Sequence, residues 1–282
     1  MEIRQLTPDD ASALEAFLVT HRDTSMFLRA NARTGGLAYR GETYQAIYAA
    51  AFVNARIVGV AGHCWNGMLL LQAPERASEV AIAAAAISGR RVTGLSGPSA
   101  HVRIARDALG LADAPAAMDE EESFFALDLA DFVVPSELAA AVREARPPRP
   151  DEYARLREWR CAYDVEILGG TGSNDERRRA IEFLDAQIAA GDAWVALKDG
   201  VPASLAAFNA ALPDIVQLGG IYTPPDLRGR GYARIAVAAS LEAARARGVT
   251  RAVLFTSRDN AVRTYEALGF RRIGDYALVL LS

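Results

Sequence analysis

The most informative segment of the chain is Ile221-Tyr222-Thr223-Pro224-Pro225-Asp226-Leu227-Arg228-Gly229-Arg230-Gly231-Tyr232-Ala233. A β-prone run at residues 215–222 leads into it and an alanine-rich helical pattern at 231–247 follows, so the segment is expected to join a strand to a helix. Glycines let the backbone approach a ligand, and the free N–H groups and positive dipole end of a helix N-terminus favour an anion. Two arginines add charge-assisted contacts. The segment therefore predicts a site for a diphosphate.

Two other kinds of nucleotide-binding loop require residues that this segment lacks. A Walker loop carries Lys-Ser/Thr after its last glycine, where this chain has Tyr232-Ala233. A dinucleotide-binding G-x-G-x-x-G fingerprint fails at Arg234, and the flanking strands are expected to form an antiparallel meander instead of a βαβ unit. The loop by itself leaves a plainer alternative open, a tight strand-to-helix turn with solvated arginines.

A second block lies downstream, Asn260-Ala261-Val262-Arg263-Thr264-Tyr265-Glu266-Ala267-Leu268-Gly269-Phe270. This block resembles the "N…YexlGF" helix of the GNAT superfamily of acetyl-CoA-dependent N-acyltransferases. The stretch from Arg228 to Ala233 resembles that family's Arg/Gln-x-x-Gly-x-Gly/Ala motif at each constrained position. The resemblance covers roughly residues 122–282. It implies a mixed α/β sheet that is splayed between its fourth and fifth strands.

The resemblance also implies how a coenzyme would bind. The backbone amides of one continuous run would hold the diphosphate of acetyl-CoA: Arg228, Gly229, Arg230, Gly231, Tyr232 and Ala233. Ile221, Tyr222 and Thr223, at the end of the strand, would also bind the coenzyme, with Ile221 and Thr223 pairing with the pantetheine arm as an added strand would. Asn260 would contact the coenzyme, although a helix N-cap is the plainer role for this residue, and the two roles are compatible.

By the same resemblance, Tyr265 would sit near the thioester sulfur. The thiolate that leaves when an amine attacks has a conjugate-acid pKa of about 8.5, and a phenol at about 10 can lend it a proton. Tyr265 is therefore the predicted general acid, with a packing aromatic on a short helix as the alternative. A backbone N–H at the strand end, near Tyr222, is expected to meet the oxyanion.

The acceptor amine must lose a proton before it attacks. For a lysine-like amine of pKa about 10.4, neutralisation at pH 7 costs roughly 4–5 kcal/mol. Candidate bases are Asp164, Glu166 and Asp214, or a water relay, and each of the three carboxylates also suits a solvated surface position. Gln217 lies on the strand where some family members carry a carboxylate base, and its amide cannot accept the proton.

Apolar periodicity predicts the same order of elements in both halves: a strand, helices, a three-strand antiparallel meander, then a helix, a strand and a helix. In the first half the predicted strands are 3–6, 46–53, 57–65, 68–72 and 91–95, and the helices are 8–19, 75–87 and 99–109. A polar stretch around Gly35-Gly36 and an acidic segment at 119–122 are expected to be loops. In the second half the strands are 124–132, 193–198, 203–210, 215–222 and 251–256, with a strand pair after 270, and the helices are 151–168, 174–190, 231–247 and 260–268.

Together with the family resemblance, this repeated order implies an α/β fold class, with two GNAT-like domains in tandem, each a mixed, mostly antiparallel sheet flanked by helices. Residues 121–282 would be the N-acetyltransferase domain that binds acetyl-CoA. Residues 1–120 would be a degenerate GNAT-like domain without a phosphate loop, because the equivalent segment, Gln72-Ala73-Pro74-Glu75-Arg76-Ala77-Ser78, contains no glycine. Arg106 stands near the place that matches Tyr265, so this half is expected to support the fold or shape the acceptor pocket.

Composition excludes several classes of protein. The chain has 282 residues, 51% of them hydrophobic, and a formal charge of −4, which is typical of a globular protein and argues against a nucleic-acid partner. The longest apolar run, 80–87, is far shorter than the roughly 20 residues of a membrane-spanning helix. The first residues resemble no secretory signal, so a cytoplasmic protein without a membrane partner is expected.

Cysteines and histidines predict neither disulfides nor a metal. The two cysteines, Cys64 and Cys161, are widely separated and form no CxxC pair. The three histidines, His21, His63 and His101, have no ligand-like spacing. No metal is therefore expected.

Taken together, these features predict an N-acetyltransferase that moves an acetyl group from acetyl-CoA to a primary amine of a small molecule or peptide, by direct attack in a ternary complex. Two alternatives remain: an acyl-CoA-binding regulatory protein without turnover, and an aminoacyl or long-acyl transferase. The modest negative charge argues against tRNA as a substrate. The acceptor's identity is open at this level, as is the choice between a monomer and a homodimer.

Overall fold

The computed structural model describes residues 2–282, and its contacts separate two compact units. Unit 1 contains Met1–Phe124 and Gly274–Ser282, and unit 2 contains Phe125–Ile273. The predicted boundary at residue 120 and the assignment of a separate role to each half stay predictions. The contacts divide the chain after Phe124, and they group the last nine residues with the first unit.

The elements follow the predicted order closely. The helices are α1 (Ala11–Thr20), α2 (Met26–Gly35), α3 (Ala77–Ser88), α4 (Ser99–Ala108), α5 (Ala139–Glu144), α6 (Tyr153–Leu168), α7 (Asn174–Ala189), α8 (Tyr232–Ala246) and α9 (Asp259–Glu266). The strands are β1 (Glu2–Gln5), β2 (Ala46–Val53), β3 (Arg56–Cys64), β4 (Met68–Gln72), β5 (Gly94–Pro98), β6 (Ala116–Asp128), β7 (Ala193–Lys198), β8 (Val201–Ala211), β9 (Ile215–Tyr222), β10 (Arg251–Thr256) and β11 (Arg271–Leu281).

In unit 1 the strand order is β1-β2-β3-β4-β5-β11. The first four strands pair antiparallel, β4 and β5 pair in parallel, and β5 and β11 pair antiparallel. Asn54 and Ala55, with φ of 49° and 62°, make the tight turn between β2 and β3, as a two-residue hairpin requires. One apolar cluster includes residues of α1 and α2 and another includes residues of α3 and α4, so helices pack against this mixed sheet.

In unit 2 the strand order is β10-β9-β8-β7, and β6, whose last residues 125–128 belong to this unit, is the neighbour of β10. The strands β7, β8 and β9 form an antiparallel meander, and β9 and β10 pair in parallel. A large core cluster contains the buried face of α8, and a smaller one contains Leu156 of α6 and Leu184 of α7. The predicted fold class, mixed sheets flanked by helices, is confirmed.

One argument made from the sequence is wrong. Because β9 and β10 are parallel and α8 connects them, the segment from Ile221 to Ala233 does lie in a βαβ unit. The absence of such a unit therefore cannot count against a dinucleotide fingerprint. That interpretation fails only because Arg234 replaces its third glycine.

Three further segments differ from the secondary structure that the sequence predicts. The polar stretch before Gly36 forms α2, which buries Met26 and Leu28 and pairs the buried Arg29 with Glu15 at 2.8 Å. The acidic residues 119–122 lie within β6, where most of them are exposed, so a strand tolerates them. The chain ends in the single strand β11 instead of a strand pair.

The parallel pair β9 and β10 separates toward its C-terminal end. Their register covers three residue pairs, from Ile215 with Arg251 to Gln217 with Val253. Beyond Gln217, no strand within residues 2–282 pairs with the edge of β9 that faces β10. This gap is the splay that the sequence predicts between these two strands.

A separate point concerns membranes. None of the helices between residues 2 and 282 is both long and apolar enough to cross a bilayer.

Candidate functional site

A cavity of about 420 Å³ opens in unit 2 where β9 and β10 separate. Four parts of the chain line it: the end of α6, the end of β9, the loop into α8 with the first turn of that helix, and α9 with the residue before it. The lining residues are Glu166, Ile167, Ile221, Tyr222, Thr223, Leu227, Arg228, Gly229, Gly231, Tyr232, Ala233, Arg234, Arg258, Asn260, Ala261, Thr264 and Tyr265.

The cavity contains Tyr265 and nine of the ten residues that the sequence proposes for coenzyme binding. Arg230 is the exception, since it is exposed and does not line the cavity. The structure therefore brings the two sequence motifs to one place. Their binding roles stay predictions.

A bulge shapes the end of β9 at this cavity. Between the pairs Leu205–Tyr222 and Ala207–Gly219, β8 advances two residues while β9 advances three. The extra residue coincides with Gly220, whose φ of 61° suits glycine in a bulge of this kind. A Cβ on Gly220 would lie 3.0 Å from Nη1 of Arg160, so α6 packs closely against the bulge.

The loop into α8 presents a run of free backbone donors. Gly229 and Gly231 have φ of 73° and 83°, in the left-handed region that favours glycine. Across residues 2–282, no acceptor takes a hydrogen bond from the N–H of Gly229, Arg230, Gly231 or Tyr232. The first bond of the helix runs from Ile235 N–H to the carbonyl of Gly231. A Cβ on either glycine would meet no atom within 4 Å, so neither glycine is required for close packing within the protein.

These donors suit a diphosphate. Successive N–H groups at a turn and at a helix N-terminus form a concave anion site, and the helix dipole reinforces it. The N–H of Arg228 is less available, because it donates to the carbonyl of Pro225 at 3.3 Å. The residues present therefore fit the phosphates of a coenzyme.

Arg228 adds a cation that neighbouring groups hold in place. Its Nε donates to the carbonyl of Thr223 at 2.9 Å, its Nη2 lies 2.7 Å from Oε2 of Glu166, and its guanidinium lies over the ring of Tyr222. The hydrogen bond with Glu166 raises the pKa of Arg228 and lowers the pKa of Glu166. Both groups are charged at neutral pH.

Asn260 lies near the start of α9, but it is not the helix cap. The helix begins at Asp259 and its N-cap is Arg258, so the N-cap proposed for Asn260 is wrong by two positions. The side-chain oxygen of Asn260 instead accepts a hydrogen bond from the N–H of Ala261 at 2.9 Å. Asn260 lines the cavity, as a coenzyme contact would.

Tyr265 lies one turn further along α9. Its ring meets that of Phe270 edge-on, with the centroids 5.9 Å apart, and the residue is 8% exposed. Burial holds the ring in position, while one part of the side chain still lines the cavity. Packing and a role at the cavity are thus compatible for this residue.

The three candidate bases occupy different places. Glu166 lines the cavity but is paired with Arg228. Asp164 lies 3.0 Å from Arg160, and burial raises the pKa of its carboxyl group. Asp214 precedes β9 at the opposite end from the cavity, about 25 Å away at the rise of an extended strand, so the structure does not support it as a base.

Several cavity residues were not predicted from the sequence. Arg258 and Ile167 lie outside both motifs, and Thr264 lies within the second block without a role assigned to it from the sequence. One signal was available for Arg258, because it lies between a strand and a helix, as Arg228 does. Between residues 2 and 282, no group of three or more His, Cys, Asp or Glu side chains could hold a metal ion.

Comparison with known proteins gives a family match for the part of the chain that forms this cavity. Residues 152–270 match the model described as "Acetyltransferase (GNAT) family". No curated protein matches the chain.

Solved structures share the fold over the whole chain at low identity. An acetyltransferase of the GNAT family from Colwellia psychrerythraea is 14% identical with a TM-score of 0.55, and the match covers 100% of both chains. A GCN5-related N-acetyltransferase from Sphaerobacter thermophilus is 14% identical with a TM-score of 0.58, covering 99% of this chain and 94% of that one. A tandem GNAT protein from the clavulanic acid biosynthesis pathway is 15% identical with a TM-score of 0.52, covering 100% and 98%.

Proposed function

We propose that this protein is an N-acetyltransferase that uses acetyl-CoA as acyl donor, because residues 152–270 match the model described as "Acetyltransferase (GNAT) family". The acceptor would be a primary amine of a small molecule or peptide. The observation that carries this proposal is the run of free N–H groups from Gly229 to Tyr232, placed beside the gap between β9 and β10.

The chain's own groups would position the acyl donor. The free N–H groups before and at the start of α8 bind the diphosphate, and Arg228 supplies a countercharge. The edge of β9 beyond Gln217 has no paired strand on the β10 side, so Ile221 and Thr223 are available to bind the pantetheine arm by main-chain hydrogen bonds. The thioester supplies the activated acetyl group.

Tyr265 is the proposed general acid. When the amine nitrogen bonds to the thioester carbon and the carbon–sulfur bond breaks, the phenol gives its proton to the departing sulfur, and a water relay takes the proton that the nitrogen loses and returns it to the phenolate. The backbone N–H near Tyr222 stabilises the negative charge that develops on the carbonyl oxygen. Both residues line the same cavity.

The first unit has a supporting role in this proposal. Residues 1–120 form a degenerate GNAT-like domain, and residues 121–282 carry acetyl-CoA binding and catalysis. The segment after β4 has no glycine, and Arg76 takes the N-cap position of α3 with φ of 61°. The side chain of Arg76 forms an ion pair with Glu79 at 3.1 Å. An anion bound at the start of α3 would lie beside the negatively charged carboxylate of Glu79, which would repel it.

Release of free thiol from acetyl-CoA tests the proposal. Wild type and Tyr265→Phe are incubated with a set of primary amines, and coenzyme A binding is measured on both. Turnover with wild type and much slower turnover with Tyr265→Phe, at similar coenzyme A affinity, support the proposal. Binding without turnover on any amine would favour an acyl-CoA-binding regulator instead. Turnover only with long-chain acyl-CoA or aminoacyl donors would favour the other transferase class.

A further inference from the structure

Two arginines on the cavity wall meet at one carboxylate. Nη2 of Arg228 lies 2.7 Å from Oε2 of Glu166, and Nη1 of Arg258 lies 3.9 Å from Oε1 of the same side chain. Nη2 of Arg258 also donates to the main-chain oxygen of Glu166 at 3.2 Å. Glu166 therefore connects two cations that are 30 residues apart in sequence.

The three residues come from three different elements. Glu166 lies in the last turn of α6, Arg228 in the loop before α8, and Arg258 immediately before α9. All three line the cavity beside the free N–H groups of Gly229 and Gly231. A local turn does not explain this convergence, because no two of the residues are neighbours in the chain.

The net charge of these three side chains favours the binding of another anion. Arg228 and Arg258 carry two positive charges and Glu166 carries one negative charge, so the cluster has a net positive charge. The Glu166 side chain is 34% exposed, and those of Arg228 and Arg258 are 42% and 46% exposed. Ion pairs this exposed are worth little, so a phosphate bearing more charge can replace the carboxylate.

We propose that Glu166 is an internal anion that the phosphates of the coenzyme displace, and that Arg258 is a second cationic contact for those phosphates beside Arg228. This inference rests on the proposed function, since it names further determinants of the same site. Glu166 would hold both arginines near the diphosphate position before the coenzyme arrives. It would also weaken coenzyme binding, because its contacts must be broken.

Calorimetric titration with coenzyme A tests this proposal on the full chain. Glu166→Gln removes the competing charge, so we expect the Kd for coenzyme A to fall about two- to fivefold. Arg258→Gln removes a phosphate contact, so we expect the Kd to rise about three- to tenfold. Glu158→Gln is the matched control, since Glu158 lies on the same helix and forms an exposed ion pair with Arg177 at 2.9 Å. This control should change the Kd by less than about twofold.

Pantetheine, which lacks the phosphates, separates a phosphate contact from a structural effect. Its competition with coenzyme A should report the same pantetheine affinity in wild type, Glu166→Gln and Arg258→Gln. If Arg258→Gln weakens the binding of pantetheine as much as the binding of coenzyme A, Arg258 acts by holding α9 in place, and the proposal is overturned. If Glu166→Gln leaves the Kd for coenzyme A unchanged or raises it, the displacement is overturned. If wild type binds no coenzyme A, the proposed function itself fails.

Discussion

The backbone N–H of Ala73 donates a hydrogen bond to Nδ1 of His101 across 3.2 Å. Ala73 follows β4, and His101 lies in the first turn of α4. In the element order that both halves share, Ala73 takes the place of Thr223 after β9. Thr223 borders the cavity of unit 2. At Ala73, by contrast, the side chain of His101 accepts the hydrogen bond of the main-chain N–H. This contact supports the proposal that the first unit has no coenzyme site.

The burial of His101 predicts how stability depends on pH. Burial lowers the pKa of His101 to about 4, with a smaller contribution from His21. The unfolded state has the ordinary histidine pKa of about 6.5, so it binds more protons between these values and stability falls as pH drops through this window. We expect His101→Asn, which keeps an acceptor without a titratable group, to show a shallower loss. Urea unfolding of both proteins at several pH values between 7 and 4 measures the difference. Equal pH dependence of the two proteins would contradict the prediction.

Replacement of Tyr265 by Phe should affect chemistry and spare binding. Removal of a general acid typically costs about 10²–10⁴ in rate, so kcat should fall within that range while the Kd for coenzyme A stays nearly constant. Steady-state thiol release and calorimetry measure the two quantities. Tyr153→Phe, at the far end of α6 from the cavity, is the control and should leave kcat unchanged. An unchanged kcat in Tyr265→Phe would remove the proposed acid.

Two glycines of nearly equal φ separate backbone strain from ligand binding. Gly231 precedes α8 with φ of 83° and Gly248 follows it with φ of 88°, and a Cβ on either would meet open space. Replacement of either by Ala should destabilise the fold by about 1–2 kcal/mol, the cost of the left-handed conformation. Of the two variants, only Gly231→Ala should also weaken the binding of coenzyme A, by tenfold or more, since Gly231 borders the cavity and Gly248 does not. Equal affinity of the two variants for coenzyme A would argue against phosphate binding by the N–H groups from Gly229 to Tyr232.

The local features of this fold could be predicted because local chemistry specifies them. Ser173 accepts a hydrogen bond from the N–H of Glu176, and the side chain of Glu176 reaches back, so the start of α7 is a capping box. Asp199 and Gly200, with φ of 51° and 79°, form the turn between β7 and β8. Each signal needs only a few neighbouring residues.

The remaining features depend on distant partners. The acidic residues at the start of β6 favour a loop in isolation, yet Asp119 pairs with Arg106 of α4 at 2.6 Å. Arg29 in α2 is buried, and Glu15 of α1 accepts hydrogen bonds from its guanidinium. The contact between Glu166 and Arg228 spans 62 residues, so no motif could reveal it. These features therefore depend on ion pairs between residues that are distant in sequence, and a local sequence pattern does not predict them.

A second pH effect should arise in unit 2. Arg146 makes two hydrogen bonds to Glu152, at 2.9 and 2.6 Å, while its backbone pairs with Val195 of β7. The hydrogen bonds from Arg146 lower the pKa of Glu152, so this pair stabilises the fold above the ordinary glutamate pKa and the effect disappears as pH falls through the lowered value. Glu152→Gln should cost about 1 kcal/mol at pH 7 and much less near pH 3, as judged by denaturant unfolding. A cost that does not change with pH would contradict this assignment.

Titration of the intact protein with acetyl-CoA, in wild type and in the double variant Gly229→Ala/Gly231→Ala, tests the central proposal most directly. With donors from Gly229 to Tyr232 holding the diphosphate, wild type should show saturable binding at one site. The double variant should bind at least ten times more weakly while its circular dichroism stays that of the folded protein. Absence of binding to wild type, or equal affinity in the double variant, would contradict the account.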